Sequence, residues 1–465
     1  MAFTLRAYQE ATLSRMRELM ASGKRSILAQ GSTGSGKTAM AAHMIGTAAK
    51  RGMSSIFLVH RRELVKQSML AFHEEGIPHG VIAAGFLEDK RQLVNVASIQ
   101  TLARRLDSVK APQLIVWDEV HHAAAGSWKA VRAHFPNAYH VGLTATPCRL
   151  DGQGLSEYFE EMVCGPSTYD LIQQGYLSKY KLFVPSTINT NGLHTRMGDF
   201  NQTELASVVD KPTITGDAIR EYQKRAAGKR AVVFCVSIEH SKHVADQFQA
   251  AGFRAHHVDG ETPAEDRDRA VREFSDGRLD ILCNVDLFGE GFDLPSLEVA
   301  ILLRPSQSLG LYLQQVGRAL RPSPGKDHAI ILDHAGNCQR HGLPDDEREW
   351  TLEGRDVKKR ASEQGLAVRV CPKCFAASRA GVPVCQFCGY AHQVVSRVVA
   401  EVDGDLSEVD IEMARRERKF EHGQANSLND LIELGKQRGY KSPYGWAKAV
   451  FNARQRRKLQ RGRFA

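Results

Sequence analysis

Residues 31–38 read Gly-Ser-Thr-Gly-Ser-Gly-Lys-Thr, after a short apolar run at 26–30 and before a helix-forming stretch that extends to about Lys50. The pattern G-x-x-x-x-G-K-[ST] between a strand and a helix admits few architectures, because the loop must lead from the end of a parallel strand into a helix. Gly31, Gly34 and Gly36 let the backbone curl until its N–H groups face inward, forming an anion-binding nest. The helix that follows points the positive end of its dipole at the same place. This spacing puts Lys37 within reach of β- and γ-phosphates and lets the Thr38 hydroxyl ligate Mg²⁺. A glycine-rich turn with no ligand is the plain alternative, and the flanking strand and helix count against it. The segment implies that the chain binds a nucleoside triphosphate.

A second apolar run, 113–117, ends in Asp118-Glu119-Val120-His121. Carboxylates just past the C-terminal end of a strand buried on both faces stand in the crevice where open α/β sheets bind ligands. Asp118 is therefore expected to serve Mg²⁺ and Glu119 to polarise the attacking water. An exposed acidic turn is the alternative, and it loses ground once a phosphate loop precedes the pair. Apolar strands at 26–30, 54–60, 94–99, 113–117 and 138–143 alternate with helical segments, the doubly wound pattern of a parallel sheet, over a domain of residues 1–180. Residues 181–210 are polar and weakly periodic, and read as a connecting segment. A second series spans 211–345, with strands expected at 231–237, 254–258, 279–285, 298–303 and 328–333. It contains no second phosphate loop, so it is expected to complete one ATP site.

In chain order, these and further segments resemble the motifs of superfamily 2 helicases and translocases. Leu5-Arg-Ala-Tyr8-Gln9 resembles the adenine-recognition element, 31–38 motif I, Phe57–Leu64 motif Ia, and Val96–Leu102 the next segment that contacts nucleic acid. Asp118–His121 matches motif II, Thr144-Ala-Thr146 motif III, Ala231–Ser237 motif IV, Asn284–Pro295 motif V, and Gln314–Arg321 motif VI. The resemblance implies two tandem RecA-like domains that hydrolyse ATP with Mg²⁺ and act on a polynucleotide. It implies catalytic roles for Lys37, Asp118, Glu119, Gln314, Arg318 and Arg321, nucleotide contacts from Gln9, Gly291 and Asp293, and nucleic-acid contacts from Arg61 and Thr101. The Gln9 amide suits an adenine edge, although a glutamine near a terminus is commonly just solvated. Arg318 and Arg321 are planar, permanently charged forks that suit γ-phosphate oxygens once the domains close, with an interface ion pair as the alternative for either. From about Asn284 to Asn337 the chain is similar to the RadD group of bacterial DNA-repair helicases and to bacteriophage relatives, the latter also through Leu143–Gly152. The resemblance covers roughly residues 3–390 and implies DNA as the partner, single-stranded or branched.

Beyond the motor, Cys371-x-x-Cys374 and Cys385-x-x-Cys388 have tetrahedral Zn²⁺ spacing, with Gly389 placed for the tight turn after the second pair. Four thiolates leave no open position, so a ribbon over 366–393 is expected to be structural. The alternative, two disulfides, suits an oxidising compartment. The chain carries 62 Lys+Arg against 53 Asp+Glu, and the whole excess lies in its last 55 residues. Within the segment 394–465, read as a basic helical tail, Tyr440, Lys441, Trp446, Arg456 and Arg457 combine stacking faces with phosphate-pairing groups. A small helical bundle with an aromatic core and a solvated basic face is the alternative. The N-terminus has no signal-peptide pattern and no apolar run is long enough to span a membrane, so the expected location is the cytoplasm of a bacterial or phage-infected cell, beside the nucleoid. The reading is an ATP-driven DNA helicase or translocase. Its rivals are an ATP-gated DNA clamp or recombination mediator that does not unwind, and an RNA helicase.

Overall fold

The computed structural model describes residues 4–89, 91–120, 126–149, 153–184, 190, 192–196, 199–210, 212–287, 297–353, 368–392, 425, 427–437, 442–448 and 450–451. They fall into two compact units, divided between Val394 and Val395.

In the first unit, seven strands form one parallel sheet: β1 Ser26–Gln30, β2 Ser55–Val59, β3 Gly80–Ile82, β4 Val94–Ser98, β5 Leu114–Asp118, β6 Tyr139–Thr144 and β7 Glu161–Cys164. Their order is β3-β4-β2-β5-β6-β1-β7. Strands β1, β2 and β5 are buried along their whole length, because helices cover both faces. One face packs Ile27, Phe57 and Val116 beneath Ile45 and Phe72, and the other packs Leu28, Ile56 and Trp117 beneath Trp128 and Phe159. Gly142 in β6 sits under the Phe159 ring, where a Cβ would come within 2.5 Å of that ring.

The second sheet contains β8 Lys179–Phe183, then, past a two-stranded hairpin (β9 Thr195–Arg196, β10 Asp199–Phe200), β11 Ala231–Phe234, β12 Ala255–Val258, β13 Ile281–Asn284, β14 Val299–Leu302 and β15 His328–Asp333. Its order is β12-β13-β11-β14-β15-β8, again all parallel. Strand β8 corrects the expected boundary at 180, since it pairs with β15 rather than with the first sheet. The expected connecting segment 181–210 also contains structure: the hairpin and helix Gln202–Val209 pack Phe200, Leu205 and Val209 against Val236. Past the helix Asn337–His341 the chain returns to the first domain, where the Leu352 carbonyl accepts from the Leu155 and Ser156 amides at 2.7 and 3.0 Å.

The cysteine segment is built on an antiparallel pair, β16 Val368–Val370 and β17 Ala377–Arg379, and it adheres to the second domain. The Val184 amide donates to the Phe375 carbonyl at 2.9 Å, Arg225 donates to the Cys374 carbonyl at 2.9 Å, and Cys371, Ala376 and Cys385 join the core that contains Phe183 and Tyr222. In the second unit, helix Leu428–Gln437 and the helical residues 443–448 share a small core of Ala425, Leu431 and Ala447. Among the described residues, no helix is long and apolar enough to cross a membrane.

Candidate ATP site and nucleic-acid interface

The phosphate loop leaves β1 and enters helix Lys37–Lys50 through two glycines in the left-handed region, Gly34 at φ +86° and Gly36 at φ +79°. Lys37 is half-buried in the first turn, and its ammonium donates to the Gly31 carbonyl at 3.1 Å. Burial lowers its pKa; Glu119 and Asp118 oppose that shift, while Arg318 and Arg321 reinforce it. Five charges from three separate stretches of the chain thus meet in one cleft. Asp118 ends β5 at 7% exposure, and burial together with the neighbouring Glu119 raises its carboxyl to about 6, against the pull of Lys37 and His60. Glu119 follows at φ +49°, a left-handed conformation uncommon outside glycine and concentrated at functional sites.

The second domain meets this cleft through helix Leu309–Ala319. Gly317 lies so close to the loop that a Cβ there would stand 2.4 Å from the Thr33 Cβ, and a Cβ on Gly34 would stand 3.5 Å from the Arg321 Cγ. Gln314 and Arg318 are buried on this helix, and Arg321 follows two residues past its end. At the other end of the helix, Gly310 approaches Thr146, with an added Cβ 3.0 Å from its hydroxyl. Thr144 connects that contact to the phosphate loop, because its carbonyl accepts from the Gly31 amide at 3.0 Å and its hydroxyl donates to the Thr146 carbonyl at 2.9 Å.

Gln9 is buried rather than solvated. Its amide donates to the Ser35 carbonyl at 2.9 Å and accepts from the Arg6 amide at 2.9 Å, so it braces the phosphate loop. Tyr8, of the same sequence element, and Tyr176, which sequence reasoning missed, complete this corner. The Tyr8 hydroxyl also donates to the Ser35 carbonyl, at 2.7 Å, and its ring meets Tyr176 edge-on at 5.2 Å, with the Arg6 guanidinium 4.7 Å from the Tyr176 centroid. Tyr176 lies some 170 residues along the chain, and no local pattern marks it. Thr38 sits in the first turn of the helix after Lys37. Gly291 and Asp293 lie outside the described residues.

Of the expected nucleic-acid contacts, Arg61 stands at the start of helix Arg62–Glu74 and donates across the cleft to the Asp286 carbonyl at 2.6 Å. Thr101 is buried, and its hydroxyl accepts from the Ala84 amide at 3.2 Å, which gives it a structural task. In the second unit Trp446 packs on the small core, and a Cβ on Gly435 would meet its ring at 3.2 Å. The exposed aromatic there is Tyr444, 54% accessible, with the Lys448 ammonium 5.7 Å from its ring centroid. Tyr440, Lys441, Arg456 and Arg457 lie outside the described residues.

The four cysteines of the ribbon converge, with all sulfurs within 4.8 Å of one another. Cys371 and Cys388 are 3.7 Å apart and Cys374 and Cys385 3.6 Å apart. A tetrahedron of metal–sulfur bonds of ~2.3 Å has edges of about 3.8 Å, so the donor set fits a four-coordinate soft cation. Left-handed Phe375 (φ +60°) and Gly389 (φ +69°) each follow the second cysteine of a pair and donate their amides to the carbonyls of Cys371 and Cys385. The turns that bring the sulfurs together are thus held by the chain itself.

The family model described as Type III restriction enzyme, res subunit matches residues 2–149, and that described as Helicase conserved C-terminal domain matches residues 211–323. The chain is 34% identical over 363 residues to a 51.5 kDa protein of a Lactococcus phage, a match that spans 78% of this chain and 77% of the other. It is 31% identical over 362 residues to a Schizosaccharomyces pombe protein named as the mitochondrial ATP-dependent helicase irc3, spanning 74% of this chain and 59% of that protein. To the DNA 3'-5' translocase XPB2 of Sulfurisphaera tokodaii it is 24% identical over 346 residues, which cover 64% of this chain and 75% of that one. Among solved structures, a fragment described as the HsdR subunit of a type I restriction enzyme from Vibrio vulnificus shares the fold, with a TM-score of 0.58 at 22% identity over 76% of this chain and 67% of the other. The chain belongs to the superfamily 2 helicases. It is an ATP-hydrolysing enzyme of that superfamily.

Proposed function

We propose that this enzyme is a DNA helicase or translocase whose ATP hydrolysis drives movement on, or remodelling of, DNA. The observation that carries the reading is the convergence of Lys37, Asp118, Glu119, Arg318 and Arg321, from both domains, on one cleft. Lys37 and the loop amides hold the β- and γ-phosphates, Thr38 and Asp118 supply oxygens to Mg²⁺, and Glu119 orients and polarises the attacking water. Arg318 and Arg321 neutralise charge that grows on the transferring phosphoryl group, and they do so only while the domains are closed. Gly317 permits that closure by leaving room for Thr33. Thr38 and Asp118 would hold Mg²⁺, which would supply the positive charge that eases attack on the phosphoryl group.

DNA is favoured over RNA by the restriction-enzyme family model and by the translocase relative, whose name specifies DNA. The four-thiolate cluster is assigned to a structural Zn²⁺ that pins the ribbon to the second domain. The tail is assigned a secondary DNA grip, in which Tyr444 and Lys448 present a stacking face and a charge while Trp446 supports them from the core. The deciding experiment compares ATP hydrolysis with single-stranded DNA, duplex, forked DNA and RNA side by side, together with strand displacement on the fork. Stimulation by DNA above RNA is expected. Stimulation by RNA alone refutes DNA as the substrate, and DNA binding without any stimulation leaves a clamp.

A further inference from the structure

Arg304 lies just past β14, at 6% exposure, and takes no part in the chemistry described above. Its guanidinium donates to the Asp286 carboxylate and faces the Asp199 carboxylate at 3.7 Å. A buried guanidinium is costly unless it is paired, so both acids matter to its position. Each acid leads to a different part of the motor.

Asp286 leads to the first domain. It sits two residues past β13 at φ +52°, a conformation that Asp and Asn tolerate better than other side-chain-bearing residues, and its carbonyl accepts from Arg61 at 2.6 Å. Nearby, Glu63 of the same first-domain helix pairs with buried Arg267 at 2.8 Å, so the contact between domains has a second anchor. Asp199 leads to the arginine-bearing helix. It accepts from the Ser306 hydroxyl at 3.1 Å and from the Gln307 amide at 2.7 Å. Ser306 in turn accepts from the Ser308 amide at 2.9 Å, and Ser308 caps helix Leu309–Ala319 by accepting from the Leu311 amide at 3.3 Å. Asn337 holds the same turn from below, through the Ser306 amide and the Arg304 carbonyl. The far end of that helix is where Arg318 and Arg321 enter the ATP cleft.

We propose that Arg304 is a positioning residue, through which polynucleotide at Arg61 is coupled to the placement of the helix that carries Arg318 and Arg321. The inference rests on the polynucleotide-driven reading above. A backbone phosphate that reaches Arg61 competes with the Asp286 carbonyl for the same guanidinium donors. The Asp286 turn then settles into a different balance with Arg304. Because Arg304 shares its charge with Asp199, the change is passed to the turn that caps the helix. Ion pairs and hydrogen bonds with two discrete arrangements are the physical means by which separated sites couple.

The test measures kcat and KM for ATP, with and without single-stranded DNA, in the wild type and in Asp286→Asn, Arg304→Lys and Asp199→Asn. Asp286→Asn preserves both the carbonyl that Arg61 uses and a side chain suited to the left-handed turn, and removes only the charge. The ratio of stimulated to unstimulated kcat should fall about tenfold, within the roughly 5- to 150-fold range of coupling between sites. KM for ATP should move by less than about twofold, since nothing that touches the nucleotide has changed. If both rates fall by one common factor, Arg304 is merely a structural ion pair and the inference is overturned. An unchanged ratio in folded variants overturns it as well. Should Arg304→Lys unfold, Asp286→Asn still decides. A wild type that no polynucleotide stimulates refutes the proposed function and this coupling together, whereas a stimulated wild type with unaltered variants refutes the coupling alone.

Discussion

The two sheets share one strand order and put it to different uses. Reading β3-β4-β2-β5-β6-β1 in the first against β12-β13-β11-β14-β15-β8 in the second makes β8 the counterpart of β1. Strand β1 is flanked on both sides, by β6 and β7, and opens into the phosphate loop. Strand β8 ends the sheet beside β15, and its C-terminal end is closed by the cysteine ribbon, through the antiparallel bridge of Phe183 with Ala376 and the hydrogen bond from Val184 to Phe375. The same position thus carries the reactive loop in one domain and a structural cap in the other. The second domain meets the phosphate loop from elsewhere, through the helix that precedes β15. Fold symmetry alone therefore does not say where function lies; the residues at each strand end do.

Four measurements probe that contrast, starting with the largest expected effect. Glu119→Gln should bind ATP yet hydrolyse it at least ~10²-fold more slowly, as loss of water polarisation implies. Turnover at the wild-type rate would remove the first sheet's carboxylate from the chemistry. Gly317→Val comes next, because a Cβ at this position would stand 2.4 Å from the Thr33 Cβ and prop the domains apart. Single-turnover hydrolysis should slow by roughly 10- to 100-fold, the scale of an ångström-sized misplacement. An unaltered rate would mean that catalysis does not need the close approach seen here.

On the β8 side the expectation is opposite in kind. With one Zn²⁺ per chain expected in the wild type, Cys371→Ser should lower that content and the melting temperature by about 2–4 °C for each kcal/mol lost, while kcat stays within about threefold. Elemental analysis of folded, reduced protein decides whether zinc is there at all. The smallest effect belongs to the tail. Deletion of 411–465 should reduce the log–log salt slope of DNA binding by roughly 2–4 units, the equivalent of three or four phosphate contacts. Tyr444→Ala should weaken single strands more than duplex, and Trp446→Ala should mainly unfold the helical pair. An identical salt slope after deletion would leave the tail with no grip on DNA.

The buried strands were legible because continuous apolar runs end in chemically distinctive residues, as at Gln30 and Asp118. Strand β8 was not. The expected boundary at 180 divided Lys-Tyr-Lys-Leu-Phe, with Lys179 in the first domain and Lys181 in the connecting segment, because its lysines interrupt the apolar run that marks a buried strand. The charged residues that the structure gathers in one cleft, Lys37, Asp118, Glu119, Arg318 and Arg321, stood out in the sequence through motif spacing. Their supports did not: Tyr176, Thr33 opposite Gly317, and Arg304 depend on approaches between segments far apart in sequence. Trp446 shows the converse limit, because basic and aromatic interleaving reads alike whether the ring faces a base or a core.

Among the described residues the chain passes between the two sheets from Cys164 to Lys179 and again on its return to Leu352, before the cysteine segment rejoins the second domain. Both crossings line one cavity of about 270 Å³, with Gly165, Pro166 and Thr168 on one and Pro344, Glu347 and Trp350 on the other. Two plies of backbone side by side would bend more easily about their shared line than they would twist, as hinges of a few connecting residues do. The widest travel then falls at the rim farthest from that cavity. Closure about such a joint would have one direction, set by the fold before any ligand is bound.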